Sequence, residues 1–199
     1  MVSIRRAIHG VRGPAAAVAG RPTGRRRDRA AAVGHGACCR SRRGDTGVGG
    51  GAEADSAWWR PDGTVADQEA WARFTRDAWE NGTLYAFVIL DPDGTLLGAC
   101  SLEGVDRQRS SANLSYWVRT SATGRGVART AARLLAGWGV GPVGLHRVEI
   151  SMVTANSASR AAAAASGAVA EGVLRNRARW ADESHDMAVF SFVPADFAR

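Results

Sequence analysis

The sequence predicts an α/β (α+β) fold, one sheet flanked by helices. Three observations carry that expectation. Short runs with period-two alternation recur between 84 and 193, bounded by Gly, Pro, Asn or Asp. Segments with helical spacing separate them at 65–80, after Gly126 and at 157–166. A small polar stretch, Ser121-Ala122-Thr123, runs into Gly124-Arg125-Gly126 where the middle helix begins, although glycine disfavours helix.

Residues 65–80, VADQEAWARFTRDAWE, set Ala70, Trp71, Phe74 and Trp79 among charges and read as an amphipathic helix stopped by Asn81-Gly82. LYAFVILD (84–91) alternates Tyr85 and Phe87 against Ala86 and Val88. The turn Pro92-Asp93-Gly94 leads from it into LLGACSLE (96–103), which makes a β-hairpin. After a polar loop from Gly104 to Ser111, ANLSYWVR (112–119) is a third strand. Val127, Ala128, Ala131, Ala132, Leu134, Leu135 and Trp138 then fall at helical spacing, and glycines 137, 139 and 141 end that helix. HRVEISMV (146–153) is a fourth strand, and Ser157 to Ser166 is an Ala-rich helix stopped at Gly167. Strand-like runs at Val169–Leu174 and Met187–Val193 close the chain.

The 199 residues allow one domain with an extension, and the charge distribution marks the boundary. Every one of the 26 basic residues is Arg; residues 1–55 hold eleven of them against four acids, whereas residues 56–199 hold fifteen of each. The whole excess of +7 therefore lies in the first quarter, which has no Phe, Tyr or Trp and no hydrophobic period. Such a composition cannot offset its ordering entropy, so residues 1–55 are read as disordered or weakly ordered, and residues 56–199 as the folded domain. An arm binding nucleic acid through its arginines is kept as an alternative, although no aromatic is interleaved for base stacking. An out-of-frame or mis-assigned start in a GC-rich gene would give the same Ala, Gly and Arg bias. Ser3-Ile4-Arg5-Arg6 is followed by His9, Gly10, Arg12 and Pro14, a poor apolar region for an export signal. No apolar run approaches the length of a membrane span. Cys38-Cys39 with His35 lacks a second ligand cluster, so no metal is expected, and Cys100 reads as a small core residue. Together these suggest a cytoplasmic protein of a reducing compartment.

In a strand–turn–helix unit, glycines let a ligand approach the backbone closely. The first unpaired N–H groups of the helix then face that ligand at the positive end of the dipole. An anion belongs there, most often phosphate. Gly124-x-Gly126 is neither GxGxxG nor a P-loop, and alone it equally fits a simple tight turn.

Its neighbours are more specific. Tyr116-Trp117, Gly124-Arg125-Gly126, Gly144-Leu145-His146-Arg147, Asn156 with Ser159, and Glu171-Gly172 occur in the order and spacing of the GNAT superfamily of acyl-CoA N-acyltransferases. The stretch 84–193 resembles in particular the RimJ/RimL-type branch. The resemblance implies a central mixed, mostly antiparallel sheet and acetyl-CoA as co-substrate, with no metal. By the same analogy the amides of Gly124, Arg125, Gly126, Val127 and Ala128 cradle its pyrophosphate. The strand carrying Trp117, Val118 and Arg119 pairs with the pantetheine arm, and Asn156 and Ser159 border the thiol end. The acceptor it implies is a primary amine, on a protein N-terminus or a small molecule. Backbone N–H groups where strands 112–119 and 147–153 splay apart would stabilise the oxyanion.

The chain departs from the branch in several places. Ser121 stands for Gln or Arg at the head of the glycine motif, and Ser115 for the Gly before Tyr-Trp. Gly167-Ala168-Val169 lacks the usual Phe, and residue 163, a tyrosine in many superfamily members, is Ala. Asn113 occupies a catalytic position where relatives often carry a Glu, yet an amide accepts no proton at neutral pH. That leaves Glu103, Asp106 and Glu149 as base candidates, with Glu103 preferred. The expected N-terminal strand has its nearest candidate in Ile4-Arg5-Arg6-Ala7-Ile8. Two readings therefore stand besides the nucleic-acid arm: an active N-acetyltransferase, or a degenerate relative with an impaired acceptor site.

Overall fold

The computed structural model describes residues 2–6, 65–180 and 183–198. In chain order they form β1 (Ser3–Arg6), α1 (Val65–Glu80), β2 (Tyr85–Leu90), β3 (Leu96–Asp106), β4 (Ser111–Val118), α2 (Val127–Val140), β5 (Arg147–Val153), α3 (Ser157–Ala165), β6 (Val169–Trp180) and β7 (Glu183–Phe192). The strands make one seven-stranded sheet in the order β1-β2-β3-β4-β5-β7-β6. Every pairing is antiparallel except β4 with β5, which is parallel.

Alternation decides which face each strand buries. Tyr85, Phe87 and Ile89 of β2, Leu102 of β3, Leu114 of β4, and Val148 and Ile150 of β5 point to one side and are buried there. Onto that side α2 lays Ala131, Ala132, Leu135 and Ala136, each with no exposed surface. These small residues bring the helix close to the sheet. The end of α1 is fixed by an aromatic cluster, in which Trp79 and Trp138 meet the Tyr85 ring edge-on at centroid separations of 5.1 and 5.0 Å.

Four differences from the sequence reading have physical causes. Residues 3–6, placed in the weakly ordered segment, form strand β1 against β2, with Ile4 opposite Ile89 and 2% exposed. One buried isoleucine and a partner strand suffice where composition argued against order. The remaining residues of 1–55, with the nucleic-acid arm and the Cys38-Cys39 pair, lie outside the described residues. Helix α2 continues through Gly137 and Gly139 to Val140, because a side chain at 139 would meet Leu102 Cδ1 at 2.9 Å and Val148 Cγ2 at 3.2 Å. The glycine is there for packing. Strand β3 runs on to Asp106. The last two strands are longer than their apolar cores, reaching Trp180 and starting at Glu183, because the polar run left unassigned in the sequence is paired as a ribbon. Asn176 interrupts that ribbon at φ 50° and donates its N–H to Asp186 Oδ1 at 2.8 Å.

Candidate active site

Strands β4 and β5 pair only over Ser111–Asn113 and Arg147–Glu149. Beyond those residues the rest of β4 keeps its pairing with β3 and the rest of β5 keeps its pairing with β7, so the sheet opens between them. The Arg119 N–H bonds the Leu97 carbonyl at 2.8 Å, which fixes the phase of β4. Residues 113, 115 and 117 turn their backbone groups toward β3, and Tyr116 and Val118 turn theirs into the opening. Trp117 and Arg119 thus belong to the β3 side; the Arg119 guanidinium donates to the Leu96 carbonyl at 3.3 Å. Among the described residues, the opening carries unused strand edge.

After β4 a single 3-10 turn, Thr120–Ala122, leads to Gly124 and Gly126, at φ 72° and 75°. That left-handed conformation is what glycine supplies and other residues resist. A Cβ at Gly124 would have nothing within 4 Å. Gly126 is the N-cap of α2; no side chain caps the helix, and no acid lies in its first turn. Val127 is buried, whereas Arg125 is exposed. The amides of Val127 and Ala128 sit at the positive end of a 14-residue helix beside an exposed arginine, which is an arrangement for a phosphate group.

On the sheet face opposite α2, β3, β4 and β5 line up a polar row. Glu103 is opposite Asn113 in the β3–β4 ladder, and Asn113 is opposite Glu149 in the β4–β5 ladder. Ser101 Oγ donates to Glu103 Oε1 at 2.5 Å, Asn113 Nδ2 donates to Ser115 Oγ at 3.2 Å, and Ser151 Oγ donates to Asn113 Oδ1 at 3.3 Å. The two catalytic candidates, Glu103 and Asn113, are therefore brought together at the foot of the opening. Asn113 acts as the link that ties β5 to β4 there. Glu149, the β5 member of the row, is engaged by Arg147 at 2.8 Å; Asp106 is engaged by the Arg109 and Gln108 amides and the Arg109 guanidinium. Arg147 also holds Glu171 at 2.6 Å, and Ser191 donates to the same carboxylate at 2.6 Å. The Arg147 guanidinium, with Ser191, holds Glu171 down at about 2.

On the other face Tyr116 reaches across the opening to α3. Its hydroxyl donates to the Ser159 carbonyl at 3.1 Å and lies 3.0 Å from Ser159 Oγ. Burial pushes the phenol up, with the Ser159 hydrogen bond acting weakly the other way. Asn156 caps α3 by accepting the Ser159 N–H at 3.0 Å, so it fixes where Ser159 stands. Ala163, one turn on, is fully buried. Tyr116 and the serines 101, 115 and 151 were not singled out as site residues from the sequence. The strand period puts Tyr116 on the α2 side, but only the tertiary fold brings Ser159 to it. Cys100 is buried in the core, which pushes its thiol up and leaves it inert. Among the described residues no group of three or more metal-binding side chains occurs, and no helix is long and apolar enough to cross a membrane.

A mixed sheet opened along its one parallel pair, with an uncapped two-glycine helix entry beside the opening, defines the acyl-CoA N-acyltransferase fold. The chain belongs to the acetyltransferase (GNAT) domain family, whose model matches residues 51–169, more than half of the chain. It is 29% identical over 118 residues to a Bacillus subtilis (strain 168) protein named "Putative ribosomal N-acetyltransferase YdaF", covering 59% of this chain and 61% of that one. Mycobacterium smegmatis RimJ, solved in complex with CoA-disulfide, is 26% identical with a TM-score of 0.63, over 68% of this chain and 65% of RimJ. The chain thus spans less than two thirds of either relative's length. The microcin C7 self-immunity acetyltransferase MccE, in complex with acetyl-CoA and AMP, shares the fold at 23% identity and a TM-score of 0.60, over 66% of this chain and 72% of that one. Both RimJ and the ribosomal relative accord with the RimJ/RimL-type motifs.

Proposed function

We propose that the chain transfers the acetyl group of acetyl-CoA to a primary amine, at a protein N-terminus or on a small molecule. The observation that carries this reading is the unpaired edge of β4 leading straight to an uncapped helix N-terminus. The amides of Gly124 to Ala128 bind the pyrophosphate with Arg125 beside them, and Val118 and Tyr116 pair with the pantetheine amides. The acceptor amine approaches from the polar face. Glu103, held by Ser101 and beside Asn113, takes its proton, directly or through one water, and the neutral nitrogen attacks the thioester carbonyl. Backbone N–H groups at the mouth of the opening stabilise the oxyanion in a water-poor site. The relatives named for ribosomal proteins support a protein N-terminus as the first acceptor to try.

Calorimetric titration of acetyl-CoA into the wild type and a Gly126→Trp variant tests the cofactor site. Micromolar binding is expected for the wild type and none for the variant, whose indole would fill the turn. No binding by a folded wild type would favour the degenerate reading. With binding established, turnover of N-terminal peptides and of spermidine separates an active enzyme from a binding remnant.

A further inference from the structure

We propose that Asn113, Ser115 and Ser151 make the acceptor site select amines by basicity, taking up the neutral nitrogen of a weakly basic amine and turning away an alkylammonium ion. The assignment rests on the transfer reading above and deepens it. Asn113 is the last residue of β4 to pair with β5, so its side chain stands where the sheet begins to open. Both ends of its amide are engaged by hydroxyls: Nδ2 donates to Ser115 Oγ at 3.2 Å, and Oδ1 accepts from Ser151 Oγ at 3.3 Å. Ser115 and Ser151 lie just past the paired stretch of their strands, and both are half-buried. Their hydroxyls form the two lips of the opening on the polar face.

This lining carries no charge, and the charged groups around it are committed elsewhere. Glu103 lies on β3, on the side of β4 away from the opening, and accepts the Ser101 hydroxyl. Glu149 lies within the paired stretch and is bound to Arg147, which is bound to Glu171 as well. Glu171 belongs to β6, two strands beyond β5. From β7 the row receives Ser191, a neutral group that donates to Glu171. Strand β4 has no charged residue, and Arg119 just beyond it donates to the Leu96 carbonyl.

The hydrogen-bonding capacity left over points the same way. Ser115 Oγ accepts from Asn113 and keeps its own O–H to donate, whereas Ser151 Oγ donates to Asn113 and keeps its lone pairs. One donor and one acceptor match an amino group, which has N–H bonds to give and a lone pair to receive. An ammonium group has donors only, so the Ser115 O–H meets it proton to proton. Moving a cation from water onto a neutral, half-buried lining is unfavourable in addition. At pH 7.5 an α-amino group of pKa about 7.7–8.0 is roughly one quarter to two fifths neutral, whereas an ε-amino group of pKa about 10.4 is neutral in roughly one molecule in 800. Discrimination of roughly two- to threehundredfold follows between a peptide N-terminus and an alkylamine of equal nucleophilicity.

The test uses the wild type, Asn113→Asp and Ser151→Ala in the full chain, with melting curves to confirm folding. Asn113→Asp keeps the shape and both hydroxyl partners and adds a charge; Ser151→Ala removes a hydroxyl and adds none. The first readout needs no turnover. A peptide whose N-terminus is its sole titrating group between about pH 6 and about pH 9 is titrated by calorimetry into the CoA complex across that range. Its affinity for the wild type should rise about tenfold per pH unit up to the pKa of the amine and then level off. Ser151→Ala should keep that slope at roughly threefold to tenfold weaker binding, whereas Asn113→Asp should vary by less than about threefold over the range. The second readout is kcat/KM at one pH for ethylamine and its mono-, di- and trifluoro derivatives, whose basicity falls at nearly constant size. Wild-type values should rise along the series until the amine is mostly neutral, and Asn113→Asp should gain roughly tenfold to hundredfold on ethylamine. Peptide affinity that is absent or independent of pH in the wild type overturns the assignment, as does an unchanged amine series in Asn113→Asp. A wild type that binds the peptide with the expected slope but acetylates no amine refutes the transfer reading instead.

Discussion

Two glycines with similar positive φ separate the cost of a turn from its use. Gly94, in the β2–β3 turn, and Gly124 have φ of 86° and 72°, and an added Cβ at either meets no atom within 4 Å. Replacing each with Ala therefore imposes the left-handed penalty alone, about 1–2 kcal/mol. Melting should fall by roughly 2–4 °C per kcal/mol, alike in both variants, for a chain of this size. Their acetyl-CoA affinities should part company. On the proposed reading, the methyl at Gly124 would project toward the pyrophosphate, and relief of the strain would turn neighbouring amides away from it. Losing one hydrogen bond to a charged group costs about 1.5–3 kcal/mol, which is roughly a tenfold to hundredfold rise in Kd. Gly94→Ala should bind as the wild type does. Differential scanning fluorimetry and calorimetric titration on the three proteins measure both quantities. Equal affinities for Gly124→Ala and Gly94→Ala would refute the pyrophosphate turn.

Glu103→Gln keeps the side-chain volume and removes the base, so kcat should fall about a hundredfold with acetyl-CoA binding unchanged; steady-state kinetics beside calorimetry checks it. Glu171 is held near 2 against an ordinary 4.5 by Arg147 and Ser191, so its ion pair stabilises the fold above about pH 4.5 and loses that contribution as pH falls toward 2. Glu171→Gln should lower stability near neutrality by less than about 1 kcal/mol, because the pair is solvent-screened, and the difference should vanish at the acid end of a series of urea melts. Gly139→Val drives its side chain into Leu102 and Val148. Overpacking of about 1–3 kcal/mol exceeds the gain of less than about 1 kcal/mol from replacing a helical glycine, so the denaturation midpoint should drop.

How much of this was legible in the sequence depended on the range of the contact involved. The hairpin at Pro92-Asp93-Gly94, the alternation of Tyr85 and Phe87, and the start of a helix after Gly126 are local and were readable. So was the glycine turn, since the backbone conformation of Gly124 and Gly126 is set by consecutive residues. β1 was legible only as the candidate Ile4-Arg5-Arg6-Ala7-Ile8 that the resemblance picked out, and composition argued against it, because four residues in an arginine-rich run acquire strand structure only from β2. Gly139 was misread as a helix stop because its reason lies on β3 and β5. The polar row was invisible for the same cause: Glu103, Asn113 and Ser151 are distant in the chain and adjacent only through register. Tyr116 was visible as a motif residue, but its partner Ser159 is 43 residues away.

The three-residue parallel seam makes the sheet two antiparallel halves, β1 to β4 and β5 to β7, with few rungs between them. On the reading proposed above, a thioester arm lying along β4 would supply the rungs that β5 does not. The co-substrate would then act as a structural spar, bracing one half against the other while present, and its departure would leave the seam at its loosest. The hydrogen bonds crossing it, Ser151 to Asn113 and Tyr116 to Ser159, join the halves without it.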